Sequence, residues 1–184
     1  MKKLLPFLLL GFVLGCSAGD DAMEEALAIR GTLLSNDCSF RCTVTTDDNG
    51  VMDTFTVDCL SDASGELEFT VVGPDSISGI TGKIDGQEGT LVFEGQVLAF
   101  PLLAGGRISP VSAPWILMNT LKKGCITSVA RTQEGLLLSI DDSYADDALN
   151  LEIWTDGQGK PVAGEISWQG RRVVSMAVEA FTYV

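Results

Sequence analysis

The residues that could do chemistry are few, and one kind is missing altogether: the 184-residue chain has no histidine. That removes Ser-His-Asp and Cys-His nucleophilic pairs, imidazole-ligated zinc and imidazole acid–base catalysis. Serine and lysine do not compensate, because neither Gly-x-Ser-x-Gly nor Ser-x-x-Lys occurs. The carboxylates come closest to a constellation, with Asp141-Asp142 followed by Asp146-Asp147. Such a group can hold calcium or act as a carboxylate pair on a glycosidic bond. Its spacing is not the Asp-x-Asp-x-Asp-Gly of an EF-hand loop, and a solvated loop explains it better. Asp47-Asp48-Asn49-Gly50 likewise reads as a turn. The expectation is no catalytic residue, no metal and no cofactor.

Sulfur is the other reactive element. Apart from Cys16 there are four cysteines, Cys38, Cys42, Cys59 and Cys125. Outside the cytoplasm an even number suggests disulfides, with three connectivities open, and buried free thiols are the alternative. Cys38 and Cys42 lie four residues apart on one strand face, about 13 Å, too far to bridge or to share a zinc ion.

The N-terminal stretch is the most informative segment. Lys2 and Lys3 precede an apolar run, 4–14, which is shorter than the ~20 residues that span a bilayer as a helix. The run ends in Val13-Leu14-Gly15-Cys16, which resembles the lipobox of bacterial lipoproteins. The resemblance implies a signal peptide over 1–15, cleavage before Cys16, and a diacylglyceryl group on its thiol as the membrane attachment. It implies an extracytoplasmic domain anchored to the bacterial cell membrane, or to the outer membrane where one exists. An ordinary signal peptide with an incidental cysteine is the alternative.

Beyond residue 16 the chain has 10 basic and 25 acidic residues, a formal charge of −15. Nucleic acids and anionic headgroups both attract basic patches, so neither suits this surface. Membrane affinity would have to come from the acyl chains.

The elements that must position these residues follow from periodicity. After a short tether, 16–21, helical spacing of Met23, Ala26, Leu27 and Leu34 predicts a helix over about 22–34. Residues 38–46 and 54–59 then alternate apolar and polar around the Asp47–Gly50 turn, which predicts a half-buried antiparallel hairpin. A tight Asn49-Gly50 turn makes Cys42 and Cys59 diagonal neighbours; a longer loop sets them opposite, within disulfide range. Cys42–Cys59 is the preferred bridge. Strands follow over 66–72, 76–84, 89–93 and 96–100, the last two bracketing Glu94-Gly95. Ser112 opens a second helix that ends in Lys122-Lys123 before Gly124. A meander closes the chain, with strands near 125–132, 135–141, 149–155, 162–168 and 171–182. Strands apolar on both faces, such as Leu136-Leu137-Leu138, suit a curved sheet whose concave side is covered.

This order predicts a mainly β (α+β) domain over 22–184: a curved antiparallel sheet or half-barrel, with an N-terminal helix and a helical insertion covering the concave face. It is similar to the lipoprotein-sorting (LolA-like) half-barrel family. The likeness includes the segment Cys38-Ser39-Phe40-Arg41-Cys42-Thr43-Val44 and the strand–turn–strand through Asp156-Gly157-Gln158-Gly159-Lys160-Pro161. The resemblance implies a hydrophobic cavity that takes a lipid, an acyl chain or a lipoprotein, and anchoring at Cys16 favours a stationary receptor over a shuttle. Phe40, Val44, Phe55, Val57, Phe69, Val71, Leu91, Phe93, Trp115 and Trp168 are the candidate cavity-lining residues, and core filling is their alternative role. The competing functional reading is a non-enzymatic structural or envelope-sensing lipoprotein that docks a protein partner and has no ligand cavity. A carboxylate-based hydrolase is the third class.

Overall fold

The computed structural model describes residues 18–48, 50–86, 88–104 and 107–184. The expected signal peptide, the Cys16 lipidation site and Asn49 of the first turn lie outside them. The first helix, α1 (Ala18–Ser35), begins four residues before the expected start, so residues 18–21 of the expected tether are helical. Ala22, Ala26, Ile29 and Leu33 recur at three- and four-residue spacing and form its buried stripe.

Eleven strands make one antiparallel sheet: β1 (Cys38–Asp48), β2 (Val51–Ser61), β3 (Leu67–Gly73), β4 (Thr81–Asp85), β5 (Glu88–Phe93), β6 (Gln96–Pro101), β9 (Cys125–Arg131), β10 (Leu136–Asp141), β11 (Leu149–Thr155), β12 (Pro161–Trp168) and β13 (Arg171–Tyr183). The two-residue strands β7 (Leu103–Ala104) and β8 (Arg107–Ile108) pair only with each other. Spatial order runs β6-β5-β4-β3-β2-β1-β13-β12-β11-β10-β9, so the chain builds outward from a central β1–β13 pairing and leaves β6 and β9 as edges. The predicted hairpin is the long β1–β2 ladder, Cys38 opposite Ser61 through Asp48 opposite Val51. Its inward positions Cys38, Phe40, Cys42, Val44, Phe55, Val57 and Cys59 are buried, as their alternation requires.

The second helix, α2 (Ala113–Lys123), follows a 3-10 turn at Pro110–Ser112. Ser112 sits at its N-cap, but its hydroxyl donates to the Ser109 carbonyl at 2.7 Å and does not cap the helix. Ile116, Leu117, Met118 and Leu121 pack onto the concave face of β1, β2, β10, β11 and β13. Gly164 of β12 is what lets α2 approach, since a Cβ there would lie 2.9 Å from Leu117 Cδ1. Helix α1 packs beside α2 and along β9 and β10. The architecture is therefore a curved, unclosed antiparallel half-barrel with both helices against its inner face. No described helix is long and apolar enough to cross a membrane.

Candidate functional site

The helices are fastened in place by polar contacts that periodicity does not reveal. Arg30 of α1 donates from Nε to the Leu121 carbonyl and from a terminal nitrogen to the Gly124 carbonyl, both at 2.8 Å. These are carbonyls at the end of α2 that the helix cannot satisfy itself. Trp115 Nε1 donates to the Gly65 carbonyl in the β2–β3 turn at 2.8 Å. Lys122, nearly inaccessible, turns inward and donates to Ser61 Oγ at 3.2 Å and to the Asp62 carbonyl. Burial lowers its pKa, with Cys38 and Asp62 pulling the other way. Of the lysine pair that closes α2, only Lys123 is thus exposed to act as the simple dipole charge expected there. The turn at Asp156–Pro161 meets α1 by an apolar contact: Asp156 Oδ1 orders the turn by accepting from the Gln158 and Lys160 amides, and Gly159, at φ 76°, meets Ile29 of α1 where a Cβ would lie 2.6 Å away.

The ten expected lining residues separate into groups. Phe40, Val44, Phe55, Val57, Phe69 and Val71 are buried in the packed interior. Leu91, Trp115 and Trp168 are half-buried, and Phe93 is 45% exposed near the end of β5. The structure therefore brings the first six together as core, and carries Leu91 and Phe93 to a part of the concave face where neither helix makes its main contacts.

That part is built by two rows of side chains crossing four strands. One row runs Leu67, Ile84, Gly89, Phe100 and the other Phe69, Gly82, Leu91, Leu98. The two glycines are functional in the packing: a Cβ on Gly82 would lie 2.3 Å from Phe69 Cζ, and one on Gly89 would lie 2.2 Å from Phe100 Cζ. Each phenyl ring lies over the neighbouring glycine and gives the sheet a flat apolar floor. Exposure rises along the second row, from 3% at Phe69 through half-buried Leu91 to 64% at Leu98. Exposed Leu103 of β7 and half-buried Ile108 of β8 follow in the connection from β6 toward α2. The result is an open apolar shelf that continues from the closed core out to the β6 edge.

A second depression, of about 490 Å³, opens on the opposite, outer face of β2–β5. Thr70, Thr81 and Thr90 form its floor, and Asp58, Glu68 and Lys83 stand around it. Two of its charged members are engaged, Asp58 with Arg41 at 2.7 Å and Lys83 with Glu66.

The cysteines do not follow the preferred pairing. Cys42 lies opposite Val57 and Cys59 opposite Phe40, so the tight-turn register holds and the two are diagonal. Diagonal Cβ atoms are too far apart for the 3.5–4.5 Å a disulfide needs. Cys38, Cys42, Cys59 and Cys125 are free thiols. Burial pushes Cys38 up to about 11 and Cys42 up to about 12, and raises Cys59 too, which makes these thiols inert at neutral pH. Two carboxylates of the acidic loop make local hydrogen bonds: Asp142 Oδ1 accepts from the Leu149 amide at 2.8 Å and Asp141 Oδ1 from the Asn150 side chain at 3.0 Å.

No protein-family model and no curated protein matches the chain. Solved structures do. An uncharacterized conserved protein from Thermus thermophilus superposes with a TM-score of 0.50 at 14% identity, covering 88% of this chain and 87% of that one. A LolA superfamily protein from Nitrosomonas europaea gives a TM-score of 0.46 at 10% identity over 85% of this chain and 92% of that one. Lipoprotein LppX from Mycobacterium tuberculosis gives 0.42 at 12% identity, over 88% and 96%. At 14% identity the first of these is a likeness of fold alone, spanning most of each chain.

Proposed function

We propose that this protein is an extracytoplasmic lipoprotein, anchored through a diacylglyceryl group on Cys16, whose half-barrel binds a lipid, an acyl chain or a lipoprotein as a stationary receptor. One observation carries the reading: the apolar shelf of Leu91, Phe93, Leu98 and Phe100 on the concave face, left open beside a closed core. Isolated exposed apolar residues are ordinary, but a contiguous strip continuous with the interior marks a binding surface. The lipobox resemblance and the likeness in order and turn to LolA-like proteins support the same assignment. Binding rests on burial of apolar area and needs no catalytic residue, metal or cofactor.

The test is native mass spectrometry on residues 17–184, alone and after incubation with phospholipid and with a free fatty acid. An adduct of lipid mass, lost under denaturing conditions and weakened in Phe93→Asp and Leu91→Asp, supports the receptor reading. A bare mass with every ligand, in folded protein, overturns it. The burial of six expected lining residues favours a second reading, an envelope module that docks a protein and holds no lipid.

A further inference from the structure

The two edges of the sheet are protected very differently. At β9 the helix α1 packs alongside, the register is broken opposite Ser139 and Ile140, and Arg131 is held by Glu25 of α1 at 2.8 Å. These are the devices that keep an edge from pairing with another chain. At β6, among the described residues, Pro101 at its end is the one such device.

The geometry of β6 shows which groups are free. Glu94 and Gly95 both have positive φ, 48° and 80°, the signature of a two-residue type I′ turn. Phe93 and Gln96 close that turn as a hydrogen-bonded pair, so pairing to β5 uses the backbone groups of Gln96, Leu98 and Phe100. The N–H and C=O groups of Val97 and Ala99 then point away from the sheet. Around them the side chains are apolar and accessible on both faces, with Leu98 64% exposed inward and Val97 70% exposed outward, beside exposed Val92. Residues 88–101 include Glu88 and Glu94 and no lysine or arginine.

We infer that β6 is a docking edge which accepts an extended segment of a partner protein as a twelfth strand, apolar at its centre and basic at both ends. The free backbone groups call for a strand, and apolar side chains on both faces call for an apolar centre. Glu94 stands at one end of β6 and Glu88, opposite Pro101, at the other, and both suit Lys or Arg. A second copy would bring together two chains of net charge −13 each. A membrane would receive a hairpin with a glutamate at its tip and no cation, the reverse of what headgroups attract. This docking goes beyond the lipid-binding reading and does not depend on it, because it uses the backbone groups of residues 97 and 99.

The probe is a fluorescein-labelled nonapeptide, Lys-Lys-Val-Ile-Thr-Val-Val-Lys-Lys, titrated against the full chain in nonionic detergent by fluorescence anisotropy. Saturable binding is expected, weakened by salt and absent for the same peptide with glutamates in place of lysines. Ala99→Pro removes an outward N–H without touching the ladder to β5 and should weaken binding about tenfold, roughly one lost hydrogen bond and its geometry. Val97→Lys, on an exposed side chain, sets like charge against the peptide and should weaken it as well, with circular dichroism and Tm unchanged in each variant. Equal binding of the glutamate peptide, or wild-type binding by both folded variants, overturns the proposal. So does a dimer in sedimentation that Ala99→Pro dissolves, which would make the occupant a second copy. Shielding of a fluorophore at position 97 by peptide-free liposomes would make it the membrane, and equally overturns the proposal.

Discussion

Replacing Cys42 with valine is expected to remove a defined part of the domain's sensitivity to alkali. Cys42 is wholly inaccessible on β1, between Val57 of β2 and Val178 of β13. Burial raises its thiol from the ordinary 9.0 to about 12. The unfolded chain therefore gives up this proton near 9.0 while the folded chain keeps it. The contribution is whole below pH 9 and is lost as pH rises toward the folded value, at up to about 1.4 kcal/mol per pH unit. At pH 10 the loss from this one thiol is about 1.4 kcal/mol, which at a urea m-value of about 2 kcal/mol/M moves the midpoint by about 0.7 M. Valine has no proton to lose, and any packing cost it brings is the same at both pH values. Cys38, Cys59 and Lys122 titrate in both proteins, so they cancel in the comparison. The assay is urea unfolding at pH 8 and pH 10 in excess reductant, and wild type should lose about 1.4 kcal/mol more than Cys42→Val between them. Equal losses in the two proteins would refute the reasoning, because they would mean that the thiol ionises as readily folded as unfolded.

Other perturbations test other parts of the architecture. In urea without reductant, all four thiols of Cys38, Cys42, Cys59 and Cys125 should react with a thiol reagent, and a count of two would show a bridge. Gly89→Val forces the Phe100 ring off its floor and should destabilise by about 1–3 kcal/mol in chemical denaturation. Arg30→Met leaves the Leu121 and Gly124 carbonyls without their donor and should cost about 2–4 kcal/mol, with faster amide exchange at the end of α2. Arg41→Ala breaks the half-exposed Arg41–Asp58 pair and should cost no more than about 1 kcal/mol, a difference that shrinks in high salt.

What the sequence by itself determined were the features written in local periodicity and turn chemistry. Alternation through residues 38–46 and 54–59 defines the β1–β2 hairpin and its inward face, and Glu94-Gly95 marks the hairpin beside the edge. The absence of histidine limits the chemistry whatever the fold. The cysteine pairing depended on the length of one turn, since a loop two residues longer would set Cys42 opposite Cys59 in place of Val57, and composition does not encode that count. Only the tertiary structure decided which apolar residues fill the core and which stay open. Phe69 and Phe93 carry the same side chain at inward positions of their strands, yet one is 3% exposed and the other 45%. The difference is where each strand lies in the sheet: Phe69 is on β3, beside the closed core and over Gly82, and Phe93 is on β5, next to the open edge. The extent of that closed core depends on where α2 is held, by Arg30, Trp115, Lys122 and Gly164 acting over separations of tens of residues. The same holds for the edges. The edge segments β6 and β9 both read as short strands, and the packing of α1 against β9 leaves β6 as the exposed one, because a helix in a half-barrel can cover only the strands it lies against.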